Sequence, residues 1–305
     1  MQIKELSNAQ VERALRHQGL AFEVGNFSFS VRSPLARVAV ALADLYRDYP
    51  LITRPHCADF PVYLGPRGLF RRWIRPISWF SFDGDYPLKP LPQAQAVALL
   101  EWGMNYCFST SAHHLLVIHG AALERDGVGL VMPATSGSGK STLCAGLVLR
   151  GWRLLSDEMI VIDPKDGSMR PLPRPISLKN ESIAIIRSRC ASDQLSAPIP
   201  NTIKGTVAQL RPPSVSIQQM KNRAVLRRVI LPRYVPAVKT ELTSITQGQA
   251  ALALIKNAFN YGVLAEQGFD TVGSVVSQAR CFGLEFSDLD TALALIEESA
   301  AEGAV

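Results

Sequence analysis

The chain has 305 residues, of which 47% are hydrophobic and 19% are charged. This apolar content suffices for a packed core and excludes an intrinsically disordered protein. The 32 basic and 26 acidic residues give a net charge of +6. Such an excess favours anionic partners, but it does not distinguish nucleotides, acidic substrates, nucleic acids and membrane headgroups from one another. An ordinary, slightly basic protein fits the same composition.

The cysteine pattern and the apolar runs bear on the compartment. The chain has five cysteines, an odd number, and no two of them form a C-x-x-C pair. This pattern argues against a disulfide framework or a structural zinc site and predicts a reducing compartment. The N-terminal stretch carries charges throughout, unlike a secretory signal, and no segment reaches the roughly 20 apolar residues of a spanning helix. We therefore predict a cytoplasmic protein without a transmembrane segment.

The first hundred residues mix strand and helix patterns. The predicted elements are, in chain order, a half-buried strand at 22–33, a helix at 34–50, strands at 59–66 and 77–88, and a long apolar helix at 93–114. A turn at Asp83-Gly84 falls within the second of these strand segments. We predict an N-terminal α+β region over 1–100 and a second domain over 101–305, without a clear linker between them.

Residues 67–80, RGLFRRWIRPISWF, interleave arginines with aromatic side chains. Such a stretch is compatible with binding to a membrane surface or to nucleic acid. A pair of strands with one apolar face and arginines extending into solvent gives the same pattern, and we favour this interpretation. We therefore predict no clear nucleic-acid partner.

The second domain begins with a strand, Gly-rich loop, helix and strand in succession. Two strands at 115–134 are joined by a turn at Asp126-Gly127, a helix follows at 140–151, and a strand pattern returns at 152–164. Residues 165–236 are rich in proline, serine and basic residues and predict exposed loops and short strands. Three helices are predicted at 248–262, 268–281 and 287–300, the last with an N-cap at Ser287 or Asp288.

The loop PATSGSGKST, residues 133–142, has the composition of a phosphate-binding loop. In such a loop, consecutive backbone N–H groups meet a polyanion at a helix N-terminus. Ala134 stands where the pattern G-x-x-x-x-G-K-[ST] has glycine, which is tolerable if its φ is negative. The predicted nucleotide-binding residues are Ala134, Thr135, Ser136, Gly137, Ser138, Gly139, Lys140, Ser141 and Thr142. The alternative is a Gly/Ser turn that happens to precede a lysine, but the flanking strand and helix favour ATP binding.

Within this loop, Lys140 is predicted to reach the β- and γ-phosphates of ATP, and the Ser141 hydroxyl to bind Mg²⁺. Asp157 and Glu158 follow 17 and 18 residues after Lys140. If the returning strand lies beside the first and parallel to it, its end places these carboxylates near the γ-phosphate. Because strand side chains alternate, only one of them should face the site. The alternative is an exposed acidic pair.

His119, one hairpin before the loop, is predicted to contact phosphate, with a purely structural role as the equal alternative.

The run from Ile118 to Ile162 resembles HPr kinase/phosphorylase. That family combines a His-Gly pair, a hairpin, a G-x-S-G-x-G-K-S loop, a helix ending in Arg-Gly and a strand closing on two acidic residues. Here these positions read His119-Gly120, 134–141, Arg150-Gly151 and Asp157-Glu158.

The resemblance implies an α/β (α+β) P-loop kinase core of the phosphoenolpyruvate-carboxykinase-like fold, with a mixed sheet. It assigns Asp157 the role of general base and Lys140 and Ser141 the ATP and magnesium roles. Glu158 is predicted, on its position next to Asp157, to face away from the site or to help Ser141 hold Mg²⁺. HPr kinases have aspartate at the position of Glu158, and their HPr-facing segment has no clear counterpart here. Features outside the core resemble the branch called HprK-related kinase A, and the family's hexamers suggest a homo-oligomer.

Together these patterns predict an ATP-dependent kinase. It would transfer the γ-phosphoryl group to a hydroxyl, with serine as the favoured acceptor, in a peptide, protein or small molecule. An NTP hydrolase or nucleotide-gated switch without an acceptor is the alternative. Lys204, in the small-residue stretch NTIKGT, is predicted to close over the transferring phosphoryl group, with a solvated loop lysine as the other interpretation.

Overall fold

A computed structural model describes residues 1–53, 57–67, 76–135 and 137–301. Ser136 and residues 68–75 of the arginine–aromatic stretch therefore lie outside the described residues. The chain divides into two compact units. The first comprises Met1–Ser111, Ser177–Arg187 and Ala191–Arg211, and the second comprises Ala112–Ile176, Ser188–Cys190 and Pro212–Val305. The predicted division into 1–100 and 101–305 stays a prediction, because compactness does not establish independent folding.

The described helices are α1 (Asn8–Arg16), α2 (Ala36–Leu45), α3 (Ala96–Ser111), α4 (Lys140–Leu149), α5 (Glu181–Arg187), α6 (Ser214–Gln218), α7 (Gln247–Asn257), α8 (Tyr261–Ser277) and α9 (Leu289–Ala301). The strands that precede Asp157 are β1 (Leu20–Val24), β2 (Phe27–Arg32), β3 (Phe60–Gly65), β4 (Ile77–Phe82), β5 (Leu91–Pro92), β6 (Leu116–Arg125), β7 (Val128–Pro133) and β8 (Arg153–Ser156). The later strands are β9 (Met159–Ile162), β10 (Ser168–Met169), β11 (Ile176–Lys179), β12 (Ile199–Thr202), β13 (Gly205–Leu210), β14 (Ala224–Tyr234), β15 (Glu241–Ser244) and β16 (Arg280–Phe286).

The first unit contains a sheet of order β1-β2-β3-β4-β5 and a smaller one of order β11-β13-β12. The single strand predicted at 22–33 is wrong, because β1 and β2 form a hairpin across Gly25, whose φ is +62°. The alternation of apolar and polar residues continues through this turn and hides it. The predictions of α2, α3, β3 and β4 are confirmed. In the described part of the stretch 67–80, the Arg67 guanidinium lies over the ring of Tyr86.

The second unit is built on a mixed sheet of order β10-β9-β6-β7-β14-β16-β15, with β8 also paired to β6. β7, β14 and β16 are parallel, so their carboxyl ends share one edge of the sheet. The strand after α4 does not lie beside β7. β8 runs in the same direction as β7, but it pairs with β6, which is antiparallel to both.

None of β14, β15 and β16 is predicted from the sequence as a strand of this sheet. β14 lies within residues 165–236, which are predicted to form exposed loops and short strands, yet it pairs with both β7 and β16. β16 was not predicted at all. The protein is thus a mixed α/β chain with mixed sheets and several helices, as predicted at this level of detail.

Helices cover the sheet of the second unit. α7 and α8 bury apolar side chains against it, among them Leu254 and Val276. α4 packs on α9, where Leu293 would lie 2.8 Å from a Cβ added to Gly146. The N-cap prediction for α9 is confirmed at Asp288, whose carboxylate accepts a hydrogen bond from the Thr291 N–H. In the described ranges, none of the helices has the length and apolar character that crossing a membrane requires.

Candidate phosphate-binding site

The loop between β7 and α4 has the backbone of an anion-binding turn. Gly139 is the N-cap of α4, with φ +87° and ψ 1°, and Gly137 has φ +93°. Ala134 is not among the residues with positive φ, so its methyl group is compatible with the loop. The Ser138 hydroxyl oxygen is buried and has no hydrogen-bond partner among the described residues. A buried, unpartnered hydroxyl beside a helix N-terminus fits an anionic ligand.

Position 139 requires glycine for two reasons, its positive φ and the closeness of neighbouring side chains. A Cβ at Gly139 would lie 2.4 Å from Cζ of Phe286, whereas one at Gly137 would have no heavy atom within 4 Å. We therefore expect Gly137→Ala to cost about 1–2 kcal/mol of folding stability through backbone strain alone. Gly139→Ala should cost about 1–3 kcal/mol more, because it also overpacks the site. Urea unfolding of the two variants measures this, and equal losses would contradict the packing at Gly139.

Lys140, Ser141 and Asp157 form a polar cluster at the start of α4, in which Lys140 and Asp157 are buried and Ser141 is half-buried. The Lys140 ammonium lies 2.7 Å from Oδ1 of Asp157, whose side chain is fully buried. The Ser141 hydroxyl lies 3.3 Å from Oδ1 and 3.1 Å from Oδ2 of the same carboxylate. Burial acts to lower the pKa of Lys140, but the carboxylates of Asp157 and Glu158 outweigh it and hold this pKa above its ordinary value. The cluster therefore keeps a cation at the helix N-terminus.

Glu158 makes a second polar pair beside this cluster. Its Oε2 lies 3.1 Å from Nε2 of His119, and the two side chains are 17% and 24% exposed. The ring of Phe259 packs edge-on against His119, with centroids 6.1 Å apart. Asn260, next in the chain, is buried and hydrogen bonds to the backbone of Val117 and Leu115, which fixes Phe259 beside β6.

The backbone between β8 and β9 explains how two adjacent carboxylates can both influence Lys140. β8 and β9 both pair antiparallel with β6, and Asp157 and Glu158 lie between them, outside either strand. Glu158 has φ +79°, which is rare for a residue with a side chain. Its carbonyl still accepts a hydrogen bond from the Gly120 N–H. Simple alternation of side chains therefore does not apply at this point, and strain of this kind is concentrated at functional sites.

The structure brings some of the predicted residues together. Ser138, Lys140, Ser141 and Asp157 gather at the loop, with the His119–Glu158 pair beside them. Thr135 is exposed, Thr142 is half-buried in α4, and the prediction for Ser136 lies outside the described residues. Lys204 belongs to the first unit, where its ammonium lies 4.9 Å from the ring centroid of Trp102.

Three aromatic residues near the loop were not predicted as site residues: Tyr234, Phe259 and Phe286. The sequence carries only a weak signal for them, because their positions depend on pairings between distant segments. Tyr234 is the last residue of β14 and Phe286 is the last residue of β16, two strands that run parallel to β7. Only the sheet order reveals that both residues lie beside the loop at 133–142.

The oxygen ligands at the loop fit Mg²⁺. The described residues contain no group of three metal-ligating His, Cys, Asp or Glu side chains. Mg²⁺, however, is commonly held by one or two carboxylates together with substrate phosphates and water. The Ser141 hydroxyl and an Asp157 carboxylate within 3.3 Å of it supply hard oxygen donors of this type.

No protein-family model and no curated protein matches the chain. Among solved structures, the chain is similar to the Hpr(Ser) kinase/phosphatase from Coxiella burnetii, with 14% sequence identity and a TM-score of 0.28. This similarity covers 61% of this chain and 99% of that chain. A likeness of this degree assigns neither activity nor residue roles to this chain.

Proposed function

We propose that this protein is an ATP-dependent kinase that transfers the γ-phosphoryl group to a hydroxyl. The observation that carries the proposal is the hydrogen-bonded cluster of Lys140, Ser141 and Asp157 at the first turn of α4. Phosphoryl transfer depends mainly on positioning and on neutralisation of charge. A lysine, a hydroxyl for Mg²⁺ and a carboxylate at one helix N-terminus supply these elements.

Lys140 and Asp157 have complementary roles in this proposal. The ammonium is paired with the Asp157 carboxylate, and a bound polyphosphate would compete for it. That competition would free the carboxylate to accept the proton of an acceptor hydroxyl. Mg²⁺, held through Ser141, would neutralise charge on the β- and γ-phosphates. The closeness of Asp157 to Ser141 also supports a role as a metal ligand, and the Asn variant described in the Discussion separates the two roles.

Glu158 and His119, which form the second polar pair, would act beside the phosphoryl group. Glu158 is close enough to Lys140 to raise its pKa, which suits a carboxylate near the metal. His119, paired with Glu158, would orient that carboxylate or contact phosphate.

We infer that the core has the phosphoenolpyruvate-carboxykinase-like P-loop fold and that the acceptor is a peptide, a protein or a small molecule. A homo-oligomer is also part of this proposal.

Isotope transfer tests this activity directly. The protein would be incubated with Mg²⁺, ATP carrying ¹⁸O in its γ-phosphoryl group, and fractionated cell extract, and labelled products would be sought by mass spectrometry. We expect a labelled phosphate ester on a hydroxyl. Label released only as inorganic phosphate, at a rate independent of the extract, would instead establish the alternative, an NTP hydrolase.

The role predicted for Lys204 stays a prediction. Lys204 lies in the tight turn between β12 and β13, where its N–H donates to the Thr202 hydroxyl. We expect hydrogen exchange of the amides at 200–206 to slow when Mg²⁺ and ATP are added, because a lysine that contacts the transferring phosphoryl group would hold this turn in place. Exchange that is equal with and without nucleotide would show that Lys204 takes no part.

A further inference from the structure

Tyr234 ends β14 at the phosphate loop. In the order β6-β7-β14-β16, β6 lies on one side of β7 and carries β8 and β9 with the acidic pair, and β14 lies on the other. The loop that follows β7 is therefore flanked by carboxylates on one side and by the end of β14 on the other. Ligands of such sheets bind at the carboxyl ends of the parallel strands.

The backbone of Tyr234 is fixed at the loop. Its N–H donates to the carbonyl of Ser138 at 3.1 Å. It pairs in parallel register with Phe286, and the N–H of Val235 donates to the Phe286 carbonyl at 2.9 Å. These hydrogen bonds connect the end of β14 to both the phosphate loop and β16. A shift of the loop relative to Tyr234 would break the first of them.

The Tyr234 ring, in contrast, is open to solvent. Tyr234 as a whole residue is 47% exposed, although Phe286, against whose ring it packs edge-on, is 3% exposed. The centroids of these two rings are 5.6 Å apart. An aromatic ring on a fixed backbone loses little conformational freedom when a flat ligand covers it. A Cβ added to Gly139 would lie 3.4 Å from the Tyr234 Cβ, so the Tyr234 side chain begins directly beside the loop.

We propose that Tyr234 is the stacking platform for the nucleobase of the bound nucleotide. The inference rests on the proposed function, because it requires the phosphates to occupy the loop. A γ-phosphate directed at Asp157 and Glu158 lies on the β6 side of the loop. The nucleoside at the other end of the polyphosphate chain is then directed to the β14 side, where Tyr234 presents its ring. Stacking of a base on an aromatic side chain contributes about fivefold to 150-fold in affinity.

The proposal is tested by comparing two probes, Mg²⁺-ADP and Mg²⁺-pyrophosphate, which share the diphosphate and differ in the nucleoside. Calorimetric titration of Tyr234→Ala should show a Kd for ADP raised about fivefold or more. The Kd for pyrophosphate should stay within about twofold of wild type, since the Tyr234 N–H is retained. Tyr234→Phe should bind both probes as wild type does, whereas Tyr234→Leu should behave like the Ala variant.

Phe269→Ala is the matched control, because it removes another exposed aromatic ring, 63% exposed, from α8 of the same unit. It should change neither Kd. Equal weakening of both probes by Tyr234→Ala would show that the ring only shapes the loop, and unchanged ADP binding would also overturn the platform. A wild-type protein that binds neither probe would overturn the proposed function itself, and the platform with it.

Discussion

Asp157→Asn is expected to slow phosphoryl transfer by about 10²-fold or more while Mg²⁺-ATP binding is retained. The amide keeps the shape of the carboxylate and its place beside Lys140 and Ser141, but it cannot accept the proton of an acceptor hydroxyl. Single-turnover transfer to the acceptor found by ¹⁸O labelling measures the rate, and titration with Mg²⁺-ATP measures the affinity.

Asp163→Asn is a matched control for this experiment. Asp163 follows β9 and is buried like Asp157, but it pairs with Arg170 rather than with the loop. We expect this control to lower stability and to leave transfer unchanged. Transfer at the wild-type rate in Asp157→Asn would place the base elsewhere. Loss of Mg²⁺-ATP binding would identify Asp157 as mainly a metal ligand, and Glu158 would be the next residue to replace.

Lys140→Met should cause the largest combined loss of stability and turnover. It removes the cation that neutralises the phosphates, and loss of one preorganised electrostatic partner costs about 10²–10³-fold in rate. It also leaves the fully buried Asp157 carboxylate without its lysine, a change that costs about 3–5 kcal/mol in buried ion pairs. Urea unfolding and ATP turnover measure the two effects separately.

The double variant Lys140→Met, Asp157→Asn separates folding from catalysis. Because it removes both charges of the pair, it should recover much of the stability lost in Lys140→Met. Turnover should remain at the level of the single variants or below. A Lys140→Met protein that turns over ATP at the wild-type rate would show that the loop assignment is wrong.

The loop at 133–142, with the hairpin before it and the helix after it, could be predicted from the sequence because its signals are local. The turn at Asp126-Gly127 defines the β6–β7 hairpin, and both residues have positive φ as such turns require. The glycines before Lys140 indicate a helix start. These features depend on neighbouring residues, so one sequence suffices to locate them.

β14 could not be predicted because its support comes from distant residues. Arg228 is buried in it, and its guanidinium donates to the carbonyl of Ser299 in α9. Pro232 lies beyond Val229, the last residue paired with β7, so its missing N–H breaks no hydrogen bond to that strand. Proline and arginine therefore indicate a loop locally, although the fold accommodates both within a strand.

Asp157 and Glu158 could be predicted from the sequence only in part. Its presence near the loop was predicted, but the contacts of Asp157 and Glu158 depend on the interrupted path along β6 and on the positive φ of Glu158. Side-chain alternation along a regular strand could not show that Glu158 pairs with His119. The role of Tyr234 depends in the same way on sheet order.

A nucleotide site at the cluster of Lys140, Ser141 and Asp157 is tested by calorimetric titration of wild-type protein with ATP, in Mg²⁺ and again in EDTA. The folded double variant Lys140→Met, Asp157→Asn is titrated alongside. We expect saturable binding by wild type that is stronger with Mg²⁺ and is lost in the double variant. Folded wild-type protein that does not bind ATP, or a double variant that binds it equally well, would show that this cluster is not a nucleotide site.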